Sequence, residues 1–168
     1  MALVRIDGIN FTYAGAKKSA LINASFEINE GEYVLLTGAS GCGKTTLIRQ
    51  IKPELTPAGA REGSITYDGV AIESLNTKRA AAEIGFVQQN PDNQIVTDYV
   101  WHELAFGLEC MGLSVGVIRR RVAEMAAFFG MESWFRNKTY ALSGGQKQLL
   151  NLAGALAMDP RLLILDEP

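Results

Sequence analysis

The sequence predicts an α/β fold, and three features carry that prediction. An unbroken apolar run at residues 33–37 leads into Gly38-Ala39-Ser40-Gly41-Cys42-Gly43-Lys44-Thr45, after which helical spacing begins. A second apolar run, 162–165, ends on the adjacent carboxylates Asp166 and Glu167. Between them, over 90–142, apolar residues recur at helical spacing. Strands buried on both faces of a parallel sheet read as continuous apolar runs. The expected core is therefore mainly parallel, with antiparallel strands at the N-terminus and a helical subdomain over 90–142, in one domain spanning 1–168.

Taken in order, residues 3–11 and 21–28 alternate apolar and polar side chains as half-buried strands do, and 14–19 reads as a hairpin-like connection. Glu30-Gly31-Glu32 turns the chain into the apolar strand at 33–37. Residues 44–52 predict a helix stopped by Pro53. Residues 64–67 predict a short strand closed by Asp68-Gly69, and 84–87 a further buried strand. Thr97 or Asp98 is the expected cap of a helix with Val100, Trp101, Leu104, Ala105 and Leu108 on one side. Ile118, Val122, Met125 and Phe129 mark a second amphipathic helix. Residues 145–158 mark a third, with Leu149, Leu152, Ala153 and Leu156 as its stripe and Asp159-Pro160 as its stop. No internal repeat or low-complexity stretch interrupts the chain.

Bulk properties narrow the function classes. With 168 residues, 48% hydrophobic and 20% charged, the composition is that of an ordinary globular protein. A formal net charge of -2 supplies no basic field for nucleic acid, so Lys17-Lys18 and Arg119-Arg120-Arg121 read as solvated faces and no nucleic-acid partner is expected. Cys42 and Cys110 form no C-x-x-C pair, which argues against zinc and thioredoxin-like chemistry; two free thiols fit a reducing cytoplasm. Residues 1–7 lack the features of a signal peptide, and no apolar run approaches the ~20 residues needed to cross a bilayer. Work at a membrane would require docking onto another component.

The glycine-rich stretch fits the phosphate-binding loop pattern G-x-x-x-x-G-K-[ST] in its proper context, after a strand and before a helix. Gly38, Gly41 and Gly43 let the backbone turn tightly so that successive amides face one concavity. Lys44 is placed to reach β- and γ-phosphates and the Thr45 hydroxyl to coordinate Mg²⁺. Asp166 and Glu167, at the carboxyl end of a strand, diverge: the first suits a Mg²⁺ shell, the second a water-orienting base. Ser143-Gly144-Gly145 opens a helix, where a serine cap and helix-start amides make a second anion site.

On these residues the sequence resembles the ATP-binding cassette (ABC) family over essentially its whole length. Leu142-Ser143-Gly144-Gly145-Gln146 matches the signature peculiar to that family, which separates it from other phosphate-loop NTPases. The resemblance implies ATP and Mg²⁺ as cofactors, with Gly38, Ser40, Gly41, Cys42, Gly43, Lys44, Thr45 and Thr46 holding the nucleotide and Tyr13 stacking on adenine. Thr45, Gln89 and Asp166 would hold the metal, while Glu167, Gln89 and Lys44 would serve catalysis. Two cassettes of this family sandwich two ATP molecules head to tail. Ser143, Gly144, Gly145 and Gln146 would therefore act on nucleotide held by a second cassette domain, whether identical, different or fused in tandem.

Gln89-Asn90-Pro91-Asp92-Asn93-Gln94 and Glu103-Leu104-Ala105-Phe106-Gly107-Leu108-Glu109 resemble the ATPases of energy-coupling-factor importers of vitamins or transition-metal ions. That implies a peripheral place on the cytoplasmic face of the cell membrane and an integral membrane transport component as partner. Residues 92–107 are the expected docking surface, unless Trp101, Leu104 and Leu108 only fill the subdomain core. The family's pattern continues with a D-loop, a further strand and a switch histidine that this chain does not contain, so the cassette reads as incomplete at the C-terminus. His102 precedes the signature and reads as a polar residue on the first inserted helix. A flanking strand lost from the phosphate-loop strand would leave apolar sheet edge exposed and stability marginal. Two other readings compete. A non-transport cassette would want a coiled-coil insertion or a basic arm, neither of which is present. A module that binds ATP without turnover is opposed by Glu167, though it suits an incomplete chain.

Overall fold

The structure, a computed structural model, describes residues 2–167 and divides into two compact units, Met1–Ala80 and Ala81–Pro168. In the first, β1 (Ala2–Tyr13) pairs antiparallel with β2 (Leu21–Asn29) through the expected connection. Helix α1 (Lys44–Arg49) follows, then β3 (Gly59–Tyr67), β4 (Val70–Ala71) and α2 (Thr77–Glu83). The strands form one antiparallel sheet in the order β2-β1-β3-β4. Val4, Ile6, Ile9 and Phe11 of β1 are buried, yet Ile6 and Ile9 are out of phase for a regular strand. A bulge resolves this: the β1–β3 register shifts between Asp7 and Asn10, where Gly8 sits at φ 59° and Gly63 at φ 90°. A Cβ on Gly63 would lie 2.5 Å from the Gly8 carbonyl oxygen.

The expected strand at 33–37 does not form. Residues 32–39 carry no regular structure, and Tyr33, Val34, Leu35 and Leu36 are exposed, Tyr33 to 92%. A strand exists by its ladder, and among the described residues none pairs with this run. Without it, the antiparallel sheet is the larger one. The helix after the loop ends at Arg49, with Pro53 opening a separate 3-10 turn, and β3 begins five residues before the strand expected at 64–67.

In the second unit, β5 (Ile84–Val87) and β6 (Leu162–Leu165) pair in parallel, Ile84 opposite Leu162 and Val87 opposite Leu165. The helices are α3 (Val100–Cys110), α4 (Val115–Phe128) and α5 (Gly144–Ala157). Val100, Leu104, Leu108, Val122 and Leu150 share one core with Ala153. Of the expected α5 stripe only Ala153 is fully buried, and the fully buried residues include Leu150, Asn151 and Ala157. Helix α5 meets α3, α4 and β5, so it is covered on more than one side and no single stripe describes it. Tyr99, not Thr97 or Asp98, caps α3. The Thr97 amide is taken by the Glu103 carboxylate at 2.7 Å, and the Asp98 carbonyl accepts the Thr139 amide at 2.9 Å. Among the described residues no helix is long and apolar enough to cross a membrane.

Candidate nucleotide and signature sites

The first unit carries the glycine-rich loop. Gly41 at φ 77° and Gly43 at φ 101° hold conformations that disfavour any side chain, and Gly43 is also the αL cap of α1. A Cβ on Gly43 would fall 2.7 Å from the Ala20 carbonyl oxygen, so the start of β2 requires glycine there as well. Lys44 Nζ donates to the carbonyls of Gly38 at 2.9 Å and Ala39 at 3.1 Å, drawing the ammonium group back over its own loop. Gly38, Ser40, Gly41 and Cys42 are exposed, Lys44 and Thr45 half-buried, and Thr46 buried. The Thr46 hydroxyl is hydrogen-bonded to the Tyr13 hydroxyl at 2.7 Å. Phe11 packs edge-on against the Tyr13 ring at 5.1 Å, leaving that ring 40% exposed. The structure thus brings Tyr13 and Thr46 together and fixes an accessible aromatic surface.

The second unit carries Gln89, Asp166 and Glu167. The parallel pairing sets the ends of β5 and β6 side by side, and the Asp166 amide donates to the Val87 carbonyl at 2.9 Å. Asp166 is 2% exposed while Glu167 is exposed, in keeping with divergent side chains. Gln89 Nε2 donates to Glu167 Oε2 at 2.7 Å. Two residues 78 positions apart are thereby joined. Among the described residues no group of three or more His, Cys, Asp or Glu is arranged to hold a metal by itself. That donor set fits Mg²⁺, which takes one or two protein oxygens and completes its shell with phosphate and water.

Ser143 caps α5. Its Oγ accepts the Gln146 amide at 3.3 Å, and Gln146 Oε1 accepts the Ser143 amide at 2.9 Å, a reciprocal capping box. Gly144 and Gly145 are exposed, and a Cβ on either would meet nothing within 4 Å.

On the helical face the structure separates the residues that sequence had grouped. Leu104 and Leu108 are core, whereas Trp101 is 43% exposed and Val96, Tyr99 and Phe106 also face outward. Beside Trp101 opens a cavity of about 460 Å³ lined by Ala105, Val115, Ile118, Val122 and Phe135 among others, with Glu109 and Arg119 among its charged lining residues. His102 lies on α3, stacked on Trp101 at 5.2 Å.

Comparison with known proteins decides the family. A family model described as ABC transporter matches residues 21–168. The chain belongs to the ABC transporter family. A putative ABC transporter ATP-binding protein of Bacillus cereus is 46% identical over 168 residues, all of this chain and 30% of the relative. The energy-coupling factor transporter ATP-binding protein EcfA1 of Ligilactobacillus salivarius is 40% identical over 98% of this chain and 57% of its own length. Among solved structures, the ATP-binding cassette MJ0796, a dimer bound to ADP and Pi, superposes with TM-score 0.84 at 28% identity, covering 96% of this chain and 72% of that one. This ABC chain therefore spans between a third and three-fifths of the length of the curated relatives it matches, as the shares of 30% and 57% show.

Three polar residues of this ABC chain escaped the sequence reading: Gln94, Lys147 and Asn151. Gln94 Nε2 donates to the Phe86 carbonyl at 2.9 Å, Lys147 Nζ to Asp92 Oδ1 at 2.6 Å and Asn151 Nδ2 to the Pro91 carbonyl at 3.1 Å. Asn151 left a signal. It is a lone amide between Leu150 and Leu152, at a position the helical period buries.

Proposed function

We propose that this chain is the nucleotide-binding part of an importer ATPase: it binds ATP with Mg²⁺, closes on a second cassette, hydrolyses ATP and thereby drives a membrane component. The observation that carries the reading is the loop at 38–45, whose Gly41 and Gly43 hold left-handed conformations directly before Lys44. That shape suits backbone amides converging on phosphate, with the Lys44 ammonium moving from the Gly38 and Ala39 carbonyls to the γ-phosphate. Tyr13 supplies a fixed ring for adenine. Thr45 in the first unit, and Gln89 and Asp166 in the second, are the residues proposed to hold Mg²⁺, which neutralises phosphate charge when bound. Glu167 would orient and deprotonate the attacking water, its hydrogen bond to Gln89 giving way as Gln89 turns to the metal.

Gly144 and Gly145 support a site shared between two cassettes. Glycine in a helix costs about 1 kcal/mol against alanine, and nothing inside this chain would clash with a side chain at either position. Close approach by a partner's nucleotide is a reason for glycine that lies outside the chain. The outward residues Val96, Tyr99, Trp101 and Phe106, with the cavity beside Trp101, form the proposed dock for an apolar helix of the membrane component. The similarity to an energy-coupling factor ATPase supports this assignment.

Titration calorimetry of the full-length protein with Mg-ATP tests the reading. Wild type should bind and turn over ATP, and Lys44→Ala should weaken binding by about 10- to 100-fold, the worth of a charge-assisted bond to phosphate. Unchanged affinity in Lys44→Ala would overturn the site.

A further inference from the structure

The loop that carries Gln89 is fastened on two sides. On its own strand, Gln94 Nε2 donates to the Phe86 carbonyl at 2.9 Å and Gln94 Oε1 accepts the Gln88 amide at 3.0 Å. Asn90 Oδ1 accepts the Asp92 amide at 3.1 Å. On the other side the loop is held by α5. Lys147 Nζ meets Asp92 Oδ1 at 2.6 Å, Asn151 Nδ2 donates to the Pro91 carbonyl at 3.1 Å, and Gln148 Nε2 makes a longer 3.4 Å contact with the Gln89 carbonyl. The two strong braces differ in kind. Asn151 is 3% exposed, so its amide is a buried neutral donor whose bond to the loop offsets its desolvation. The Lys147 side chain is 16% exposed and Asp92 is open to solvent at 64%, so this brace is a charge pair at the surface.

Both braces stand on the helix that begins at Ser143. Lys147 is one turn from that cap and its amide donates to the Ser143 carbonyl at 3.0 Å; Asn151 lies about 12 Å along the axis at the usual rise per residue. A hydrogen-bonded helix over two turns is stiff, so a displacement of the loop at one end arrives at the cap. The loop's link to the strand ends is weaker in comparison: one side-chain bond, Gln89 Nε2 to exposed Glu167 Oε2 at 2.7 Å.

We infer, on the ATPase reading above, that Lys147 and Asn151 are positioning residues that make the Gln89 loop and the Ser143 end of α5 shift as one body. Nucleotide chemistry sensed at Gln89 is then relayed to the signature through α5, and the Gln89–Glu167 bond is where this body parts from the strand ends.

The test uses the full-length protein carrying Lys147→Met, which keeps the aliphatic stem, and the charge exchange Asp92→Lys with Lys147→Asp. Hydrogen exchange is read at 88–94 and at 143–149, with and without a non-hydrolysable ATP analogue, alongside steady-state ATPase. Lys147→Met should speed exchange at 88–94 by about three- to tenfold without nucleotide, through easier local opening. It should abolish the change at 143–149 that the analogue causes in wild type. Turnover should fall by about two- to fivefold with KM for ATP changed by less than about twofold, a surface pair's worth lost beyond nucleotide binding. The charge exchange should restore all three. Wild-type exchange at 88–94 and an intact analogue response at 143–149 in Lys147→Met would overturn the inference, as would failure of the charge exchange to restore either. A wild type without ATPase activity would instead sink the ATPase reading, while the nucleotide-free exchange at 88–94 would still decide whether Lys147 holds the loop.

Discussion

Glu167 is the residue on which turnover hinges in the proposed mechanism, and its surroundings suggest how to test it. The carboxylate is exposed and accepts one hydrogen bond from Gln89 at 2.7 Å. Glutamine at 167 keeps the size and an acceptor oxygen for that bond but loses the base. Glu167→Gln in the full-length protein is therefore expected to bind ATP normally, to lose about 10²- to 10⁴-fold in turnover, and to accumulate as an ATP-bound dimer on size-exclusion chromatography. Turnover at the wild-type rate would remove Glu167 from the mechanism. The glycines make a contrast at the same scale. Gly43 is required by this chain itself, through φ 101° and the approach of Ala20, while Gly144 and Gly145 are required by nothing within it. Sequence alone marked all three as motif residues. Only coordinates distinguish a glycine needed for its own turn from one left bare for a neighbour.

At the scale of elements, β1 and β3 illustrate what periodicity misses. Alternation predicted β1, and the strand formed, but the buried pair Ile6 and Ile9 is out of step unless a bulge intervenes. Gly8 and Gly63 face each other there, both with positive φ. Gly63→Ala combines a left-handed backbone with a Cβ 2.5 Å from a carbonyl oxygen that cannot move without breaking the ladder. It is expected to destabilise the protein by about 2 kcal/mol or more, read as a lowered urea midpoint at unchanged m-value. A variant as stable as wild type would show that the bulge relaxes freely. The run at 33–37 fails for a complementary reason. Its composition is that of a buried strand, but a strand is a relation between two segments, and among the described residues the second is not there. Local pattern also misjudged α3, where Glu103 reaches back to the Val96 and Thr97 amides and the helix starts at Tyr99 without a side-chain cap.

For the whole molecule, the proposed division of labour between two cassettes yields its own prediction. Ser143 sits on the capping box of α5, and its side chain is exposed. If the signature serves nucleotide on a second cassette, Ser143→Arg should leave ATP binding by the isolated subunit within about twofold of wild type and reduce turnover of the dimer to background. Loss of the cap costs about 1 kcal/mol, too little to unfold a typical domain. Loss of ATP binding in the isolated variant would place the residue's role within one subunit and defeat the shared-site reading.

The sequence by itself determined the chemistry and the family. Glycines before Lys44, the signature at 142–146 and the carboxylates at 166–167 are local patterns, and the requirements of phosphate and metal are met by residue type at fixed spacing. Tertiary structure alone decided which apolar residues face outward, with Leu104 and Leu108 in the core and Trp101 beside a cavity. It also decided that Gln89 meets Glu167 across 78 positions and that Lys147 and Asn151 hold the loop before them. These are pairings between distant segments, set by packing and hydrogen-bond satisfaction, and no period or motif along one segment encodes its partner.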